Sequence, residues 1–325
     1  MPDLALIAAL VGGFVLLAVC GDFLVRGAVA LGRRAGLSPL VAGIFIVGFG
    51  TSAPEMIVAV NAASSSYPNL ALGNIVGSNI ANILLVLAVP ALIAPLHTGS
   101  WGQRPAWVAM ALATAAWITI LSTIGFNASV AGLFLVGLVG YSIFTLVSAR
   151  TAISYGVDIG IATDEPKMPT RRAIGLTLIG IIGLPIGAHL IVEGGVGIAR
   201  AFEVPEAIIG LTLLALGTSL PEIGAGIASA LRQKTDVLIG NVLGSNIFNI
   251  LGAGGLVAFF GQVQPAETFN NYDHWALGLS ALILGAVIFL GLRIGRLAAV
   301  LLLLIYALYL FGLVNGWNIR SFVGV

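Results

Sequence analysis

Two glutamates, Glu55 and Glu222, stand deep inside long apolar stretches of the sequence. An ionised carboxylate that leaves water is strongly destabilised unless a positive charge compensates it. Those stretches contain no Lys or Arg that could supply the charge. We therefore predict that a bound cation is the partner of both carboxylates. The alternative is that both are protonated and only hydrogen-bonded inside the fold.

Both glutamates end the same short motif, Gly-Thr-Ser-x-Pro-Glu. The proline before each glutamate lacks an N–H and clashes with the carbonyl four residues earlier, so a helix is expected to break or kink there. A break would free carbonyl oxygens around Gly48 and Ala215, although a kink that serves only helix packing is the alternative. Hydroxyl oxygens beside the two breaks come from Thr51, Ser52, Thr218 and Ser219.

A second motif, Gly-Asn-x-x-Gly-Ser-Asn-x-x-Asn, also occurs twice, at residues 73–82 and 240–249. Its polar residues recur every four positions, so on a helix they form one stripe. These residues are Asn74, Ser78 and Asn82 in the first copy and Asn241, Ser245 and Asn249 in the second. The glycines have the spacing that lets helices pack closely. Hydrogen bonding between helices is the alternative role of the asparagines.

Together these groups predict a ring of oxygen donors that carries two negative charges. Such a ring suits Ca²⁺, which takes about six to eight oxygen ligands, and also Na⁺. Transition metals prefer imidazole or thiolate ligands. The chain has one cysteine, Cys20, and its three histidines are scattered. We therefore expect no transition-metal site, and a disulfide framework is excluded.

The two motifs belong to one duplicated block. Residues 43–84 align without a gap with residues 210–251, and 16 of the 42 positions are identical. Chance similarity between apolar segments would match Leu and Ala, whereas here proline, glutamate, serine and asparagine match at fixed spacing. The chain is therefore predicted to be a duplicated unit.

The elements that must position these residues are predicted to be membrane-spanning helices. Hydrophobic residues make up 59% of the 325 residues and charged residues only 8%, whereas soluble domains carry about 25% charged residues. Ten apolar stretches are long enough to cross a bilayer. They are 4–25, 38–64, 70–95, 105–124, 127–149, 173–193, 205–231, 237–260, 274–292 and 296–315. Their apolar runs do not alternate with polar residues, which indicates helices and not barrel strands.

The basic residues predict how the chain is oriented. The connections after the odd-numbered spans carry 12 Lys and Arg and the opposite set carries two. Because basic residues collect on the cytoplasmic side, both termini are predicted to lie on the extracellular or periplasmic side of the cell (inner) membrane. Each half then holds five spans, so the second half enters the membrane inverted. We predict a first repeat over residues 1–149, a cytoplasmic linker over 150–172 and an inverted second repeat over 173–325.

The paired motifs resemble the α-repeats of the sodium/calcium exchanger family, in a compact prokaryotic form. The resemblance implies ten transmembrane helices in two inverted five-helix repeats, with the second, third, seventh and eighth helices enclosing the ions and the second and seventh broken. It further implies that Glu55 and Glu222 bind calcium and sodium, and that main-chain oxygens of Thr51 and Thr218 complete the calcium site. Flanking sodium sites would use Ser52, Ser78, Ser219 and Ser245 with carbonyls near Gly48 and Ala215, and Asn82 and Asn249 would line the central site.

The function predicted from these residues is secondary active exchange of sodium for calcium by alternating access, with electrogenic calcium extrusion. Some relatives carry an aspartate where this chain has Asn249, so a calcium/proton antiporter on the same scaffold is the main alternative. A passive channel and an intramembrane enzyme with paired carboxylates are less favoured. We expect no catalysis and no cofactor. The expected partners are the transported ions and the lipid bilayer; the formal charge of +1 argues against nucleic acid, and no obligate protein partner is implied.

Overall fold

The computed structural model describes residues 3–65, 67–155, 157–160, 168–204, 215–260 and 272–317. Ten helical regions, named α1 to α10, follow one another along this part of the chain. They are α1 (Leu4–Arg34), α2 (Pro39–Ser64), α3 (Pro68–Ile93), α4 (Gln103–Thr123), α5 (Ala128–Ser154), α6 (Thr170–Ala201), α7 (Ala215–Gly217 and Leu220–Leu231), α8 (Thr235–Phe259), α9 (His274–Phe289) and α10 (Arg296–Val314). Eight are long and apolar enough to cross a membrane, and Leu220–Leu231 and His274–Phe289 are shorter apolar helices. The predicted all-α membrane architecture is confirmed.

The first and sixth helices are longer than the sequence predicted. They contain 31 and 32 residues, whereas the expected spans ended at residues 25 and 193. A helix does not stop where its apolar stretch stops, because its charged end can continue into the polar headgroup layer. In α1 the last turn carries Arg33 and Arg34, whose charge complements the negative end of the helix dipole. Residues 205–214 of the seventh predicted span and residues 161–167 of the predicted linker lie outside the described residues.

The irregularities expected at the two Pro-Glu sequences take different forms. In α7 a turn at Thr218 and Ser219 separates Ala215–Gly217 from Leu220–Leu231, and Pro221 lies in the first turn of the second segment, where its missing N–H needs no acceptor. In α2 the chain passes from a π-helical segment, Gly43–Gly48, directly into an α-helix that contains Pro54. The turn of α7 corresponds to Thr51 and Ser52 in the first repeat, so the winding of α2 changes slightly earlier, after Gly48, and its α-helix continues through Pro54.

The helices that carry the motifs form the centre of the bundle. The most apolar windows of α3 and α8 are each 83% buried, against 22% for α1 and α5. Both central helices also contain π-helical segments at equivalent places in the repeat, Asn82–Val86 and Phe248–Ala253. Such segments are frequent at functional sites because they re-aim side chains within a helix. The polar stripes are thus held in the most enclosed part of the fold.

Glycines let α2 and α8 approach each other closely. A Cβ atom on Gly240 would lie 2.2 Å from the Leu40 carbonyl oxygen, and one on Gly244 would lie 2.6 Å from that of Ile44. The packing role predicted for these two glycines is therefore confirmed. The residues equivalent to Leu40 and Ile44 in the second repeat fall within 205–214, outside the described residues.

Candidate cation site

The two glutamates of the repeated motif are buried where α2, α7 and α8 meet. Glu55 is 2% exposed and Glu222 is 0% exposed. The Asn249 amide donates to Glu55 Oε2 at 3.1 Å, and the Ser52 hydroxyl donates to Glu222 Oε1 at 3.4 Å. Because Ser52 and Glu55 belong to the same helix, the Ser52 contact brings both carboxylates into one part of the bundle. The prediction that these side chains face the interior of the bundle together agrees with this geometry.

Each carboxylate is held by the opposite repeat. Ser52 lies three residues before Glu55, on the same face of α2, yet its hydroxyl contacts the glutamate of the second repeat. Asn249, in the second repeat, holds the glutamate of the first. The site is consequently shared between the two halves of the chain, and a movement of one half against the other must disturb both carboxylates.

Several buried oxygen atoms around the carboxylates make no hydrogen bond within the described part of the chain. They are Glu55 Oε1, Glu222 Oε2, Ser219 Oγ, Asn82 Oδ1 and Asn249 Oδ1. Buried polar atoms are nearly always hydrogen-bonded, so a group of exceptions needs an explanation. Oxygen is the donor type that hard cations such as Ca²⁺ and Na⁺ prefer, and the amide nitrogens of Asn79 and Asn241 are unpartnered as well. The donor set therefore fits a cation that is carried through the protein as its substrate.

The main-chain oxygen of Gly48 is also at this site. It accepts hydrogen bonds from the Ser245 hydroxyl at 3.3 Å and from the Thr51 hydroxyl at 3.4 Å. Thr51 Oγ1 lies 3.2 Å from Asn241 Oδ1 as well. These contacts tie the end of the π segment of α2 to the polar stripe of α8 and bring three predicted residues together.

The remaining predicted residues are placed less uniformly. Ser78 is buried and lies next to the Glu55 carboxylate. Thr218 is half-buried in the turn of α7, and the main chain of Ala215 begins the short helix before that turn. Asn82 is fully buried, but its amide donates to Asn246 Oδ1 at 3.1 Å and not to a carboxylate. The ion-binding role of every residue in this set stays a prediction.

A second polar cluster, which the sequence pattern did not predict, is formed by Asn79, Asn82 and Asn246. The Asn246 amide donates to the Asn79 carbonyl at 3.3 Å, and Asn246 Oδ1 accepts from Asn82. The Asn82 amide nitrogen is used in this contact, and Asn82 Oδ1 has no hydrogen-bond partner within the described part of the chain. The signal was present, because Asn79 and Asn246 occupy the same place in both copies of the motif, but neither lies on the four-residue stripe.

The asparagines that open the two stripes link helices, as the alternative interpretation had it. Asn241 of α8 contacts Thr51 of α2, and the Asn74 amide donates to the main-chain oxygen of Glu55 at 3.2 Å. Among the described residues no group of three or more His, Cys, Asp and Glu side chains is close enough to hold a metal ion. The charge of the site thus comes from two carboxylates.

Removing the Thr51 hydroxyl is expected to destabilise the contact between α2 and α8. In Thr51→Val the shape is kept, but Asn241, whose Nδ2 already has no described partner, also loses the hydroxyl beside its Oδ1. Leaving such buried groups unsatisfied costs about 1–3 kcal/mol, which a lower Tm in detergent would report. Thr51→Ser retains the hydroxyl and is expected to keep the wild-type Tm; equal losses in both variants would show that the hydroxyl is not the cause.

Comparisons with known proteins agree with this architecture. The family profile described as "Sodium/calcium exchanger protein" matches residues 5–147 and 172–315. The putative antiporter CaxA of Alkalimonas amylolytica is 33% identical over 293 residues, covering 88% of this chain and 89% of that protein. The sodium/calcium exchanger MaX1 of Methanosarcina acetivorans is 27% identical over 333 residues, covering 92% and 95%.

A solved structure shows the same fold. The sodium-calcium exchanger NCX_Mj, soaked with zero Na⁺ and Ca²⁺, superposes with a TM-score of 0.81 and 28% sequence identity, covering 95% of this chain and 99% of that one. The match extends over both predicted inverted repeats. This multi-pass membrane chain therefore belongs to the sodium/calcium exchanger family of cation/calcium antiporters.

Proposed function

We propose that this protein exchanges Na⁺ for Ca²⁺ by alternating access, with the ions bound between Glu55 and Glu222. The observation that carries the proposal is the pair of buried carboxylates, one from each repeat, with an unpartnered oxygen on each. Inverted repeats that meet at a central site are typical of transporters, because the two halves exchange roles when the site changes sides. The names of the relatives support sodium as the coupling ion.

The remaining ligands are proposed from their position around the two carboxylates. Main-chain oxygens of Thr51 and Thr218 would complete the calcium site. Sodium sites on either side would use hydroxyls and carbonyls of Ser52, Ser78, Ser219, Ser245, Gly48 and Ala215, with Asn82 and Asn249 at the centre. The described contacts that support this set are those of Ser52 and Asn249 with the carboxylates and that of Ser245 with the Gly48 carbonyl.

Competition for the same carboxylates is sufficient to couple the two ions. If both ions need Glu55 and Glu222, binding of one displaces the other. An empty site would carry two uncompensated negative charges across a membrane interior, where each charge costs at least about 3 kcal/mol. That cost favours exchange and opposes leak. If more charge enters as sodium than leaves as calcium, each excess charge gains about 2.3 kcal/mol per 100 mV.

We further propose that both termini lie outside a cell (inner) membrane and that calcium leaves the cell. The support is the strong excess of Lys and Arg in the connections on one side of the bundle, since basic residues collect on the cytoplasmic side.

A calcium/proton antiporter is the second candidate, and one observation favours it. Both carboxylates are held by neutral donors, Ser52 and Asn249, and neither contacts a Lys, Arg or His in the described part of the chain. Protons could therefore neutralise them in place of sodium. Asn249 is uncharged, which leaves two acids at the site for the cycle.

Radioactive calcium uptake into proteoliposomes distinguishes the two candidates. Vesicles loaded with sodium, with potassium, or with an acidic interior without sodium are diluted into the same calcium solution at a clamped membrane potential. We expect uptake from sodium-loaded vesicles at least about tenfold above the other two. If the proton gradient alone drives equal uptake, the protein exchanges protons, and not sodium, for calcium.

A further inference from the structure

A basic pocket lies at the end of the bundle where α1 finishes. Its cavity has a volume of about 430 Å³ and lies between the last turns of α1, the segment that leads into α6, and the α7–α8 connection. Six positively charged residues line it: Arg26, Arg33, Arg34, Arg172, Arg232 and Lys234. The rest of its described wall is Met168, Pro169 and the small apolar side chains of α1. This pocket is remote from the two carboxylates and has no role in the proposed exchange.

Among the described residues, the positive charge of the five arginines in the basic pocket is only partly compensated. No acidic residue is part of the described lining. Asp22, just beyond it, contacts Arg26 at 3.6 Å and also pairs with Arg232. Asp236, on the neighbouring turn of α8, is engaged by the Gln103 amide at 2.8 Å and by Ser100. Within the part of the chain that the structure describes, one nearby carboxylate therefore faces the five arginines of the pocket, an arrangement that favours binding of an anion.

The duplication of the chain shows that the fold does not require these charges. The same shift that superposes the two repeats maps Arg26 onto Glu193, Arg34 onto Ala201 and Arg232 onto Ser65. Only Arg33 finds a basic counterpart, Arg200. The opposite end of the bundle thus has the same helices without the same charge. General enrichment of basic residues on one side does not explain why half of its 12 Lys and Arg converge on one cavity.

The surroundings of the basic pocket match a phosphate group at a membrane surface. Guanidinium groups bind phosphate oxygens in pairs of parallel hydrogen bonds. The pocket floor contains apolar Val25, Val29 and Ala30. C-terminal to Arg172, the same face of α6 exposes three apolar side chains that an acyl chain would pack against: Ile179 (51% exposed), Ile182 (61%) and Ile186 (50%). Basic pockets between helices on the cytoplasmic side are a recognised form of lipid headgroup site.

We propose that the basic pocket binds a phosphate-bearing anion, supplied by the headgroup of an anionic phospholipid or by free phosphate. The bound phosphate would bridge the end of α1, the start of α6 and the α7–α8 connection, and would neutralise the guanidinium groups that meet there. Arg34 already joins two of these parts, because its Nε donates to the Met168 carbonyl at 3.2 Å.

The test measures Tm shifts of the full-length, delipidated protein in detergent. The probes are short-chain phosphatidylglycerol, short-chain phosphatidylcholine and inorganic phosphate, each titrated to give an apparent Kd. The variant Arg33→Gln/Arg172→Gln removes two pocket charges, and Arg150→Gln/Arg171→Gln removes two charges from the same end of the bundle outside the pocket. We expect phosphatidylglycerol to bind the wild type at least about tenfold tighter than the pocket variant, with less than a twofold change in the control.

The outcomes separate the sources and the rival explanation. Stabilisation by phosphatidylglycerol alone assigns the site to a lipid headgroup, whereas inorganic phosphate that competes with it assigns the site to free phosphate. Equal weakening in both variants, or equal binding of phosphatidylcholine and phosphatidylglycerol to the wild type, would overturn the proposal. If the double variant does not fold, Arg33→Gln and Arg172→Gln are measured singly, each with an expected loss of about threefold.

Discussion

Replacing Glu55 by Gln is expected to reduce sodium-driven calcium uptake at least about 100-fold, a loss of about 2.7 kcal/mol, and Glu222→Gln is expected to do the same. Glutamine keeps the size of the side chain and the contact that Asn249 or Ser52 makes with it, but it removes one of the two charges available to the ion. Isotope flux in proteoliposomes that contain equal amounts of folded protein measures the effect.

The matched control is Glu193→Gln. Glu193 is also a membrane-helix glutamate, in α6, but it is exposed beside His189 at 3.8 Å and makes no described contact with Glu55 or Glu222. Its removal is expected to leave uptake within about twofold of the wild type. The double variant of Glu55 and Glu222 is expected to be no worse than either single one, because residues that act as a unit are non-additive. Near-normal uptake in either single variant would refute the shared site.

The second large effect is expected from Gly240→Ala. The added Cβ would lie 2.2 Å from the Leu40 carbonyl oxygen, and backbone atoms cannot move aside as the end of a flexible side chain can. Overpacking of this kind costs about 1–3 kcal/mol. It would also push α8, which carries Asn241, Ser245 and Asn249, away from α2. We therefore expect a lower Tm together with slower transport.

Gly140→Ala is the matched control for this prediction, since a Cβ atom at Gly140 meets nothing within 4 Å. It is expected to keep or slightly raise the Tm, because alanine is the better helix former. If Gly240→Ala and Gly140→Ala have the same Tm and the same flux, the close contact between α2 and α8 is not what holds the polar stripe in place.

The main architecture could be predicted from the sequence because the residues that recur in the two repeats are largely polar. A proline and a glutamate that recur in apolar surroundings have few physical explanations. Their recurrence predicted the duplicated helical membrane fold and identified its central helices. The stripe at Asn74, Ser78 and Asn82 followed from helical periodicity alone. These inferences needed only local spacing and the cost of burying charge.

Features that depend on tertiary contact were beyond that reasoning. Periodicity does not reveal that Ser52 contacts Glu222 and that Asn249 contacts Glu55, because these pairs join residues far apart in the chain. Asn246 was missed for the same reason, since its partners Asn79 and Asn82 lie in the other repeat. The α1 and α6 helices extend beyond the predicted spans because hydropathy reports the apolar layer and not the length of the helix.

The crossed contacts between repeats give alternating access a specific physical form. Each carboxylate is oriented by a donor from the other half of the chain, so neither half can move without changing both. An ion that bridges the carboxylates would hold the halves in one arrangement, and its exchange for another ion would permit the next. Coupling between the ions then follows from the geometry of the shared site.

The central claim is that Glu55 and Glu222 bind one cation between them. Anomalous diffraction from crystals soaked in Sr²⁺, an electron-rich substitute for Ca²⁺, tests it most directly. We expect a single strong peak within about 2.3–2.6 Å of oxygens from both carboxylates, and its loss when Na⁺ is added in excess. A peak that contacts only one glutamate, or one that lies elsewhere and persists in sodium, would contradict it.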